Sequence, residues 1–172
     1  SLVNWAINGN TGSSYLRLMS LPVVTNFSLP DGYIPQVGKG IQVAPGNDAF
    51  IFSYGPQMLT NAVAAAVEIK ESSNINIGVI NLPWLNKIDK KWLLETVQSV
   101  DQIFCIDNHY SIGGLGDRLA SLISNDADLK VTLTSIGLNE VPACGTNDEI
   151  MDFHGLDTTS IVKMIKKQLK CQ

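Results

Sequence analysis

The chain has 172 residues, 45% of them hydrophobic and 16% charged, with a net charge of −4 and a pI near 5.0. That length supports one full-sized domain with its own core, and the composition excludes a disordered or fibrous chain. The acidic balance argues against nucleic acid or an anionic membrane as partner, and no apolar run reaches the roughly 20 residues that a bilayer span needs.

Leu2 to Ile7 reads as the tail of a helix, which suggests a fragment or a processed chain. A turn at Asn8-Gly9-Asn10-Thr11-Gly12 follows, and then a strand over Tyr15-Leu16-Arg17-Leu18-Met19. Arg17 is a charge in an apolar segment, where it needs a partner. A guanidinium at a strand end suits bidentate phosphate binding, and a structural salt bridge fits equally well. From Leu21 to Gly40 the chain is punctuated by Pro22, Pro30, Gly32, Pro35, Gly38 and Gly40, the chemistry of a linker.

Beyond residue 40, strand-like and helix-like segments alternate, as expected for a layered α/β domain. Strands are predicted over 41–43, 49–53, 75–81, 102–107 and 130–135. Helices are predicted over 57–71, 89–99, 114–124 and 158–169, with a short one opened by Thr146-Asn147-Asp148-Glu149, which has capping-box form. Leu59, Ala62, Val63, Ala66 and Val67 form the inward stripe of the first long helix. Asp89 caps the second.

Cys105-Ile106-Asp107-Asn108-His109-Tyr110-Ser111-Ile112-Gly113-Gly114-Leu115-Gly116 is the most informative stretch. A strand ends in polar residues and a glycine-rich turn leads into a helix, the place where parallel α/β sheets bind ligands. The helix start could hold an anion, or Gly113, Gly114 and Gly116 could serve a tight turn and close packing. The spacing is neither G-x-G-x-x-G nor a P-loop. Asp107 and His109 could form a proton-transfer pair, or His109 could be an interface residue. Two distant histidines and scattered cysteines do not make a metal site. Three cysteines (Cys105, Cys144 and Cys171) without metal spacing fit a reduced, cytoplasmic protein.

Three segments, taken together, resemble the C-terminal domain of the transketolase-type thiamine diphosphate enzymes. That domain is shared by transketolases, 1-deoxyxylulose-5-phosphate synthases and the β subunits of 2-oxoacid dehydrogenases. The segments are Ile51 to Leu59, Asp107 to Gly116, and Ile136-Gly137-Leu138 with Cys144-Gly145-Thr146, Glu149-Ile150 and His154 to Asp157. The resemblance spans residues 41–169. It implies a three-layer α/β/α domain (41–172) with a mixed, mostly parallel five-stranded sheet, one strand antiparallel.

The resemblance also implies that residues 1–20 are the end of a preceding pyrimidine-binding domain and 21–40 a linker, with Arg17 at the position that helps hold a substrate phosphate. Thiamine diphosphate and Mg²⁺ would be bound by upstream domains or a subunit outside this chain, because no Gly-Asp-Gly motif occurs here. The implied activity is transfer of a two-carbon ketol unit between sugar phosphates. The implied role of this domain is support and homodimer formation without catalysis of its own. Alternatives are a regulatory module that binds an anion or partner at the glycine loop, or the C-terminal domain of a dehydrogenase β subunit.

Overall fold

A computed structural model describes residues 2–20 and 22–170. Cys171 lies outside the described residues, as do Ser1 and Leu21, which begin the two predicted N-terminal segments. Five strands form one sheet: β1 (Ile41–Ala44), β2 (Ala49–Ser53), β3 (Ile77–Asn81), β4 (Gln102–Tyr110) and β5 (Thr132–Leu138). Their order is β1-β3-β2-β4-β5. Only β1 runs antiparallel to its neighbour, β3, and the other pairings are parallel. This is the predicted mixed sheet.

Six helices are described: α1 (Leu2–Asn8), α2 (Pro56–Ser73), α3 (Lys90–Val97), α4 (Leu115–Ile123), α5 (Asn147–Phe153) and α6 (Thr158–Leu169). They split between the two faces of the sheet. On one face, Met58, Leu59, Ala62 and Ile69 of α2 pack with Ile161 and Ile165 of α6, Met151 of α5, and Ile51, Val79 and Phe104 of the strands. On the other, Leu93 and Val97 of α3 and Leu115, Leu119 and Ile123 of α4 pack on Phe52, Ile80 and Ile103. Each strand of the sheet centre is buried on both sides, which is why β2 and β3 are apolar runs and do not alternate. Burial of two such faces is the main force holding the three layers together.

Several boundaries differ from the sequence reading. β4 continues to Tyr110 and β5 to Leu138, because each offers the other a ladder past the predicted ends, pairing Tyr110 with Leu138. The stripe on α2 is rotated slightly from the predicted one: Val67 is 51% exposed, and Met58, Ala65 and Ile69 are buried in addition. Asp89 caps α3 as expected, accepting from the Trp92 amide at 3.0 Å. Thr146 and Glu149 form the predicted capping box.

The strand expected over Tyr15–Met19 is absent. No sheet edge pairs with it, and its apolar side chains are turned out, Tyr15 at 91% and Leu18 at 77% exposure. A strand exists only where a neighbour completes its hydrogen bonds.

Among the described residues, 9–40 form an arm without helix or strand that wraps the domain. It starts at α1, whose Trp5 sets its ring edge-on to Trp84 at 4.6 Å on the α3/α4 face. It then crosses the end of the sheet. Asn26 donates to the Thr60 carbonyl on α2 at 3.0 Å, and Phe27 packs on the α2/α6 face. It returns to α3, where the Gly38 carbonyl accepts from the Asp89 amide at 2.9 Å.

Candidate functional site

The strand order fixes where a site can form. From β2 the chain leaves through α2 to β3 on one side, and from β4 it leaves through α4 to β5 on the other. β2 and β4 are adjacent, so their carboxyl ends flank the point where connections diverge, the usual ligand crevice of an open α/β sheet. Tyr54 follows the last residue of β2, and Asp107 lies near the end of β4.

Asp107 is 4% exposed, and both of its carboxylate oxygens are engaged. Oδ1 accepts a short hydrogen bond from the Tyr54 hydroxyl. Oδ2 accepts from the Leu115 amide, the first of α4, at 2.5 Å. The carboxylate thus satisfies a free N–H at the helix start and complements its dipole. Burial, and then Asp107 itself, pushes the Tyr54 hydroxyl well above its ordinary pKa, against the opposing pull of Arg17. Cys105, two residues before Asp107 on β4, is buried and its thiol is likewise pushed up, by burial first and by Asp107 second. It is an inert core residue.

The glycines serve this geometry. A side chain at Gly114 would run into the Asp107 carboxylate and the Tyr110 carbonyl, and one at Gly116 would strike the Ser135 hydroxyl of β5. The Gly113 amide donates to Asp117 at 2.6 Å. Two carboxylates of the chain, Asp107 and Asp117, therefore occupy two of the amides around this helix start, those of Leu115 and Gly113.

Asp107 and His109 do not meet as a proton-transfer pair. Asp107 turns into the core. The His109 ring is exposed, with Nδ1 3.1 Å from the Tyr110 carbonyl. The β4–β5 register shifts between Ile106 and Tyr110, a bulge that breaks the alternation on which the i, i+2 argument depended.

Arg17, far away in sequence, reaches this same place. Its Nη1 donates to the Asn108 carbonyl at 3.0 Å, within the bulge. The side chain is exposed, and among the described residues it makes no ion pair. Sequence reasoning singled out Arg17 and Asp107 separately and missed Tyr54. A tyrosine directly after a wholly buried strand end was the available signal. His154 caps α5 and accepts from the Ala143 amide through Nε2 at 3.0 Å. Trp84 is 7% exposed, with the Trp5 ring set edge-on to it.

The family model described as "Transketolase, C-terminal domain" matches residues 38–161. The chain belongs to the transketolase C-terminal domain family. A putative uncharacterized transketolase family protein of Sinorhizobium fredii is 30% identical over 168 residues, covering 95% of this chain and 47% of that protein. A putative transketolase C-terminal section of Methanocaldococcus jannaschii is 30% identical over 136 residues, covering 78% of this chain and 41% of that protein. The chain therefore spans less than half the length of these two curated relatives. Among solved structures, a split gene transketolase described as an inactive beta4 tetramer aligns with a TM-score of 0.69 at 24% identity. It covers 83% of this chain and 45% of that one, and it shares the fold of this transketolase C-terminal domain.

Among the described residues, no group of three or more His, Cys, Asp or Glu could hold a metal ion, and no helix is long and apolar enough to cross a membrane.

Proposed function

We propose that this chain supplies the C-terminal domain, and the arm leading into it, of a cytoplasmic transketolase-type enzyme that moves a two-carbon ketol unit between sugar phosphates. In this reading, residues 1–20 are the end of the pyrimidine-binding domain and 21–40 the linker. The donor set among the described residues does not fit thiamine diphosphate or Mg²⁺: they hold no three-ligand cluster, and the sequence has no Gly-Asp-Gly. Those groups belong to domains or a subunit outside the chain, which acts as support and as part of a homodimer.

The observation that carries the reading is Arg17 at the crevice between β2 and β4, held by a single carbonyl. A guanidinium has five donors in a planar fork, so most of them remain for a phosphate. The names of both curated relatives favour the transketolase branch over the dehydrogenase one. The occupied helix start of α4 weighs against an anion-binding regulatory module, because Asp107 and Asp117 would have to be displaced.

The purified chain with added thiamine diphosphate and Mg²⁺ should show no turnover of sugar phosphates; measurable turnover in a homogeneous sample would overturn the proposal. In the enzyme assembled with its cofactor-binding part, Arg17→Gln should raise KM for a phosphorylated ketose by about tenfold or more, the worth of a charge-assisted bond. KM for an unphosphorylated donor should stay unchanged. Equal effects on both donors would remove Arg17 from phosphate binding.

A further inference from the structure

We propose that Tyr54 is a positioning residue: by satisfying the Asp107 carboxylate, it keeps Arg17 out of an ion pair and free for an incoming phosphate. The inference rests on the phosphate-binding reading of Arg17 and adds to it a residue that governs the availability of that cation.

Three observations meet here. First, an arginine beside a carboxylate ordinarily forms a bidentate pair. Arg17 reaches the carbonyl of Asn108, the residue next to Asp107, yet among the described residues it makes no ion pair. Second, each oxygen of the Asp107 carboxylate already accepts a hydrogen bond, one from the Tyr54 hydroxyl and the other from the Leu115 amide. Third, Tyr54 lies in the field of both charges. Burial and Asp107 hold the proton on its hydroxyl, while Arg17 acts in the opposite sense, so Tyr54 remains a donor throughout the neutral range. A phenol is suited to this task. It satisfies one carboxylate oxygen by hydrogen bonding without adding a charge that would repel Arg17. Without the hydroxyl, Oδ1 would be a buried, unsatisfied anion, and Arg17, which already reaches the carbonyl of the adjacent Asn108, is a cation placed to answer it.

Tyr54→Phe removes the donor and preserves the ring. In the full-length chain, nitrogen-resolved NMR of the Arg17 guanidinium reads the outcome directly, because bidentate pairing slows rotation about its N–Cζ bonds. We expect slowed rotation in Y54F and recovery in Y54F/D107N, where no carboxylate remains to capture the cation. Titration with inorganic phosphate, followed at the Arg17 Nε–H signal, should give saturable shifts in the wild type. Binding should be about tenfold weaker in Y54F, as expected for loss of a charge-assisted contact, and restored in Y54F/D107N.

Unchanged rotation in Y54F, or slowed rotation that persists in Y54F/D107N, overturns the inference. A wild type that ignores phosphate while rotation follows the expected order removes the phosphate reading and leaves the role of Tyr54 intact. If Y54F does not fold, D107N alone serves: with Tyr54 present the carboxylate is already satisfied, so phosphate affinity and guanidinium rotation should match the wild type. A tenfold gain in affinity there would show that Asp107 was capturing Arg17 all along.

Discussion

Burial and the adjacent Asp107 carboxylate both oppose a phenolate at Tyr54, which raises its pKa on folding. For a group raised above its unfolded value, the stabilising contribution is complete below that value, about 10 for tyrosine, and is lost as pH climbs through the folded one. In a spectrophotometric titration of the phenolates, Tyr54 should therefore ionise only at a pH well past 10, together with alkaline unfolding, and Y54F should remove that late component. Close approach makes a second prediction at this scale. Gly114 leaves no room for a methyl group beside the Asp107 carboxylate and the Tyr110 carbonyl. Gly114→Ala should cost roughly 1–3 kcal/mol in urea unfolding, the range for an overpacked site.

Among the elements, α5 shows how local chemistry sets a boundary. Its capping box pairs Thr146 with Glu149, whose Oε2 accepts from the Thr146 amide at 2.8 Å and from the Thr146 hydroxyl at 2.7 Å. Thr146→Ala should lower stability by about 1 kcal/mol. These bonds hold the Glu149 carboxyl below its ordinary pKa. Its contribution is thus present above the unfolded value near 4.3 and fades as pH falls through the lower folded one. The stability gap between wild type and Glu149→Gln should accordingly narrow between pH 6 and pH 3. This helix was legible in sequence because its signal is contained within four residues. β4 was legible only to Asp107, because its last residues depend on β5, a partner set by the ladder and not by propensity. Tyr15–Met19 misled for the same reason: its residues favour a strand, but no sheet edge receives it. Arg17 could be found as an isolated charge, whereas its neighbour Asn108 and the bulge that frees that carbonyl could not, since a register shift has no sequence marker here.

Across the molecule, the layered order was readable, because buried strands and amphipathic helices alternate along the chain, whereas the single antiparallel strand was implied only by the resemblance of the three motif segments. The course of the arm was not, since it depends on contacts between positions far apart, such as Asn26 with Thr60 and Trp5 with Trp84. Those contacts have a consequence for assembly. Together, α1 and the arm touch the α3/α4 face at Trp5, the end of the sheet at Arg17 and the α2/α6 face at Phe27. These landing places lie on the packed faces of the domain, so the arm docks after the layers it rests on have closed on the sheet. Release of the arm breaks a few exposed hydrogen bonds and the contacts of Trp5 and Phe27 while leaving the sheet intact, a local opening well below global unfolding. Native-state hydrogen exchange should show the Tyr33 and Lys39 amides opening at much lower free energy than those of β2 and β4. A chain stalled with either layer incomplete would leave its arm loose, so a docked arm marks the finished domain.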